Sequence, residues 1–202
     1  MASLLFTEKN HTYTVDGEPV PSVSEITRFL TRELYQDVMQ VSLDAAADRG
    51  TKIHKAAEAL DKYGEIEVSD DILPYLKAYL AFLKEEKPEW EKIEWPVNKG
   101  LEYAGTIDRY GTLRGKKGIV DLKSTANIKK NHRVLYTAGQ NLYRMAAEEK
   151  HPIEALFILQ LKKDETYKLI ELPIDDELAL ACLALHNATK KTRRKRKEKT
   201  DD

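Results

Sequence analysis

Between residues 92 and 125 the chain abandons helical spacing and alternates. Ile93, Trp95 and Val97, then YAGTIDRYGTL, then GIVDLKST form three strand-like runs joined by turns rich in Gly and Lys. Such a meander needs cover, and helical patterns flank it. The start, LLFTEKNHTYTVDGEPVPSVSEITRFL, predicts a hairpin turning at Asp16-Gly17 and then a helix, with Ser22 and Glu25 at capping-box spacing. SLDAAADRGTKIHKAAEALDKYG predicts a helix interrupted or bent near Gly50 and stopped at Gly64. The next helix is expected from Asp70 or Asp71, with Pro74 in its first turn and Leu76, Tyr79, Leu80 and Leu83 on its apolar face. After the strands come a helix from about Arg133 to Lys150, two strands in EALFILQL and TYKLIEL, and a last helix capped at Asp175 or Asp176.

The third run carries an anomaly. Side chains alternate along a strand, so Val120 and Leu122 can enter a core while Asp121 and Lys123 share the other face. A solvated edge strand with an intrastrand ion pair accounts for this at roughly 0 to 1 kcal/mol. A second aspartate sharpens the question. With the turn centred on Arg114 and Gly115, Asp108 falls opposite Asp121; with a turn two residues longer it falls opposite Lys123. Crowded carboxylates repel unless a cation lies between them, and Mg²⁺ takes oxygen ligands. Two aspartates and a lysine on paired strands would supply what phosphodiester hydrolysis needs: a held ion, an activated water and a charge for the phosphate.

Upstream, RGTKIHKAAE places His54 and Glu58 on one helical face, with the small Ala56 and Ala57 permitting close approach to a sheet. A lone histidine on a helix is more often structural or exposed than a ligand.

RGTKIHKAAE, GTID, VDLK and GQNLYR occur in the order and spacing of the PD-(D/E)xK nuclease superfamily. Over residues 20 to 185 the chain resembles the branch of RecB-type nuclease domains and phage-type exonucleases. The resemblance implies an α/β fold of restriction-endonuclease type, a mixed β-sheet flanked by helices. It implies that His54, Asp108, Asp121 and the Leu122 carbonyl bind Mg²⁺ or Mn²⁺, that Lys123 is catalytic, and that Gln140 sits over the site. Glu58 corresponds to the motif glutamate, with a supporting or second-metal role. The Q-x-x-x-Y motif is not matched as written: Tyr143 lies three residues after Gln140 and Tyr136 four before it, and either could share its face. Arg49 of the first motif is a candidate DNA contact. Several members of this branch hold an iron-sulfur cluster through cysteines; Cys182 is the only cysteine here, which excludes such a cluster and any disulfide within the chain.

Residues 190 to 199 hold eight Lys/Arg and one Glu against a whole-chain balance of -1, so the body before them is acidic. Lys190, Lys191, Arg193, Arg194, Lys195 and Arg196 form either an arm for a polyanion or a solvated end. The organisation expected is an N-terminal hairpin over 1–20, a nuclease core over 21–189 and a disordered basic tail over 190–202. No apolar stretch approaches the ~18 residues of a membrane span, and Met1 to Leu5 is too short for a signal peptide, so a cytoplasmic protein of a bacterial or phage-infected cell, with no membrane partner, is expected. DNA with single-stranded regions or free ends is the expected partner, together with a recombination protein. Three activities remain open at this point: an exonuclease in recombination or repair, an endonuclease, and an inactive DNA-binding subunit.

Overall fold

The computed structural model describes residues 3–7, 10–64, 66–147 and 151–198, with side chains described as far as 190. Three short strands, β1 (Leu4–Thr7), β2 (Thr12–Val15) and β3 (Glu18–Val20), form an antiparallel sheet in that order. Its β2–β3 turn falls at Asp16-Gly17, where both residues have positive φ, 51° and 84°, as tight hairpins require. The Ser22/Glu25 capping box is present and starts α1 (Val23–Ile26). One helix is expected here, but the chain breaks at Thr27 and continues as α2 (Arg28–Tyr35).

Next come α3 (Gln40–Tyr63) and α4 (Leu73–Glu86). Helix α3 is continuous through Gly50, contrary to the expected interruption. A Cβ at Gly50 would lie 3.9 Å from Ser124 Oγ, an ordinary contact, so the glycine neither breaks the helix nor is required there by sterics. Helix α4 starts after Asp70 and Asp71, because the N–H groups of Ile72 and Leu73 both donate to Ser69 O and Pro74 enters the first turn.

The main sheet has five strands in the order β4 (Glu89–Lys99), β5 (Tyr103–Leu113), β6 (Lys116–Ser124), β7 (Ala155–Leu161) and β8 (Tyr167–Leu172). Pairing is antiparallel except for β6 with β7, which run parallel and are joined through α5 (Lys130–Ala147). This is the expected mixed α/β sheet flanked by helices. Strand β7 is buried along its whole length, because helices cover both faces. On one face Val120, Leu122, Phe157 and Leu159 pack with Ile53, Ala56 and Ala57 of α3 and Tyr79 and Phe82 of α4. On the other, Ile119, Leu156 and Ile158 form a core flanked by Tyr136 and Tyr143 of α5.

The last helix, α6 (Asp176–Glu198), is capped by Asp175, whose Oδ1 accepts from Leu178 N at 2.9 Å. Its backbone remains helical through 190–198, where a disordered tail is expected; the side chains of Lys191, Arg193, Arg194, Lys195 and Arg196 lie outside the described residues.

Candidate active site

The β5–β6 turn centres on Arg114 and Gly115, both with positive φ, and pairs Leu113 with Lys116, the first of the two anticipated registers. The ladder ends at Arg109↔Val120, one step before Asp108 and Asp121 would form a rung. Asp108 instead bonds the backbone of β6: its Oδ2 accepts from Leu122 N at 2.7 Å. From the helical side, His54 Nε2 lies 3.0 Å from Leu122 O, while Nδ1 lies 3.5 Å from Asp108 Oδ2. Two side chains thus occupy the peptide groups of Leu122. Ala56 and Ala57 are buried beside this contact, which fits the close approach of α3 anticipated from their size.

Lys123 Nζ spans the Asp121 carboxylate, at 2.9 Å from Oδ1 and 2.7 Å from Oδ2. Oδ2, nearer but poorly angled, is buried with no hydrogen-bond partner. Burial alone would push the Lys123 ammonium down; Asp121 and Asp108 together outweigh it, and the lysine is held above its ordinary value. Burial raises the Asp121 carboxyl, an effect that Lys123 offsets in part and Asp108 reinforces.

Asp121 and Lys123 face a cleft of about 150 Å³, covered by α5 and the α1–α2 segment. Gln140, Tyr136 and Tyr143 all line it, so both candidate tyrosines share the glutamine's side of α5. Lys123 Nζ stands 5.6 Å above the Tyr136 ring, and Gln140 Oε1 is buried without a partner. Tyr143 also explains a glycine that the sequence marked only as part of a motif. A Cβ at Gly105 of GTID would fall 2.4 Å from Tyr143 Cε1, so the ring lies directly on that backbone.

Glu58 stands apart from the ligand group. It pairs with Lys62 one turn along α3. Arg49 lies over the Tyr75 ring in a separate pocket with Asp48, Asp70 and Asp71.

The principal residue not anticipated from sequence is Glu94. Between the pairs Ile93↔Arg109 and Trp95↔Ile107 it lies across from Asp108. Ligand atoms of His54, Glu94 and Asp108 fall within 4.8 Å of one another, the group of this kind found among the described residues. Glu94 has φ of 47°, a conformation costly for a side-chain-bearing residue and one that persists only where the surroundings enforce it. Arg109, whose side chain is fully buried, meets the Glu94 carboxylate. Its Nη1 lies 3.3 Å from Glu94 Oε1 and donates to Asp108 O at 2.7 Å, while Nε donates to Asp61 Oδ2 at 2.6 Å. Asp61 is itself 3% exposed and accepts from Tyr79 OH at 2.7 Å. Helix α3 thus reaches the sheet at two points on one face, His54 and Asp61, two turns apart.

Burial and the Asp108 carboxylate push Glu94 up to about 7, against opposing pulls from His54 and Arg109. Its folded value lies above its ordinary one, so the metal-free folded state binds a proton more tightly than the unfolded chain. Stability on this account is full below the ordinary glutamate range and declines as pH rises to about 7. Denaturant titrations of the metal-free protein are expected to show this decline, and Glu94→Gln is expected to remove it. An identical slope in the variant would assign the effect to another group.

The donor set suits a hard divalent cation. It combines an imidazole with carboxylates from β4 and β5, the Leu122 carbonyl lying against the imidazole, while the Asp121 carboxylate of β6 stands outside that group and is paired with Lys123.

No family model matches the chain, and neither does any curated protein. Among solved structures it is similar to the alkaline exonuclease LHK-Exo from Laribacter hongkongensis, at 12% identity over 88% of this chain and 91% of that one, with a TM-score of 0.40. The same exonuclease in complex with dAMP gives 14%, 89%, 94% and 0.37. SSO0001 gives 17% identity over 82% and 76%, also at 0.37.

Proposed function

We propose that this chain is a metal-dependent deoxyribonuclease of the PD-(D/E)xK type, with a restriction-endonuclease-like core, acting as an exonuclease in phage or bacterial recombination or repair. The observation that carries the reading is the meeting of His54, Asp108 and the Leu122 peptide where β5 and β6 part, beside the Asp121–Lys123 pair. His54, Asp108, Asp121 and the Leu122 carbonyl would hold Mg²⁺ or Mn²⁺, with Glu94 as a further carboxylate. When bound, such an ion lowers the pKa of a water and neutralises charge on the phosphate.

The protein's own groups do the rest. Lys123, kept cationic by its ion pair, faces the cleft and is placed to stabilise charge developing on a phosphate oxygen. Gln140 brings a carboxamide with an uncommitted oxygen to the same cleft, suited to orient a water or a phosphate. Arg109 meets the Glu94 carboxylate and donates to the Asp108 carbonyl.

A digest of end-labelled linear DNA and covalently closed circular DNA, with Mg²⁺, with Mn²⁺ and with a chelator, tests the reading. Metal-dependent loss of the linear substrate with intact circles is the expected outcome. Cleaved circles would make the enzyme an endonuclease, and no cleavage of either substrate would leave a binding subunit.

A further inference from the structure

A second concavity lies on the far side of the α1–α2 segment. Ser24, Thr27 and Thr31 face the Lys123 cleft, whereas Glu25, Arg28, Phe29 and Arg32 face a groove of about 520 Å³ closed by the N-terminal sheet and by α6. The groove is basic. Arg28, Arg32 and Lys190 line it against one carboxylate, Glu25. Glu25 is already engaged, accepting from Ser22 N at 2.9 Å and pairing with Arg28 at 3.5 Å. That exposed pair is weak and leaves Arg28 available. Arg32 has no ion pair among the described residues. Phe29 presents an aromatic ring, 37% exposed, and His186 Nε2 is buried in the groove wall with no hydrogen-bond partner.

We infer that this groove holds a single strand of DNA passing to or from the cleft, an assignment that rests on the nuclease reading and names the form of its substrate. Cations along a groove track phosphates, while an exposed ring offers a stacking platform that only unpaired bases can use. Lys190 lines the groove and is followed in sequence by further Lys and Arg residues.

Anisotropy titrations of the full chain, in chelator so that nothing is cut, with labelled oligothymidine and with a blunt duplex of equal length, provide the test. Phe29→Ala is expected to weaken oligothymidine binding about 5- to 160-fold while leaving duplex binding unchanged. Phe29→Trp is expected to retain oligothymidine binding, which separates stacking from damage to the fold. The double variant Arg28→Ala, Arg32→Ala is expected to flatten the dependence of log affinity on log salt by about 1.4. Oligothymidine affinity unchanged in Phe29→Ala, or lost equally for both DNAs, would overturn the assignment, as would failure of the wild type to bind oligothymidine. Groove variants that behave as expected in a protein that cuts no DNA would sink the nuclease reading alone.

Discussion

Asp121→Asn and Lys123→Ala are each expected to reduce hydrolysis by at least 10² to 10⁴-fold, roughly the loss that follows removal of a proton-transfer group, with more where ion binding fails too. The fold should survive. Asn keeps the shape of Asp, and Lys123 lies at a cleft rather than within either core, although its removal leaves the Asp121 carboxylate without its cation and lowers stability to that extent. DNA binding, measured in chelator, should be largely retained in both variants. Single-turnover cleavage near the wild-type rate in either one would reduce the pair at 2.7 Å to a structural ion pair within one strand.

Arg109→Met is expected to cost about 3 to 5 kcal/mol in denaturant unfolding, the penalty for leaving a buried charge without its partner. The stranded charge is Asp61, whose carboxyl is already pushed up by burial and held down chiefly by Arg109. Adding Asp61→Leu should recover part of that loss, because the most deeply buried unpaired carboxylate is then gone, while the Tyr79 hydroxyl is left without its acceptor. Activity should not recover with it, since Glu94 and the Asp108 carbonyl have both lost their common donor. A single variant within about 0.5 kcal/mol of wild type, the ordinary range for surface changes, would show that the network contributes little.

What could be read from sequence was what repeats locally. Alternation in GIVDLKST placed Asp121 and Lys123 away from Val120 and Leu122, and the glycine turn at 115 set the register that brings Asp108 near them. The helical spacing around His54 put it on the face that meets the sheet. Glu94 escaped because its place depends on an irregular strand. The β4–β5 register shifts between Trp90 and Lys92, Glu94 has a positive φ, and its contact with Arg109 is one that no local pattern encodes. Arg109 escaped for a related reason. An arginine in a strand reads as solvent-facing, and its partners Asp61 and Tyr79 come from helices distant in sequence. Gly50 misled in the opposite direction, since a helix tolerates one glycine at a cost of about 1 kcal/mol.

Because a two-residue turn joins β5 to β6 while the whole of α5 intervenes before β7, the halves of the site assemble at different stages of folding. Hairpins close within about 1 to 10 μs, whereas a parallel pairing must wait for its crossover. Asp108, Asp121 and Lys123 therefore come together first, and Gln140, Tyr136 and Tyr143 are carried in later with the helix that covers them. Pulse-labelled hydrogen exchange is expected to find the amides shared by β5 and β6 protected before those of β7; the reverse order would mean that the crossover nucleates the sheet. The newly made chain would thus pass through a stage in which its charged groups face open water, and the cleft is closed over them last.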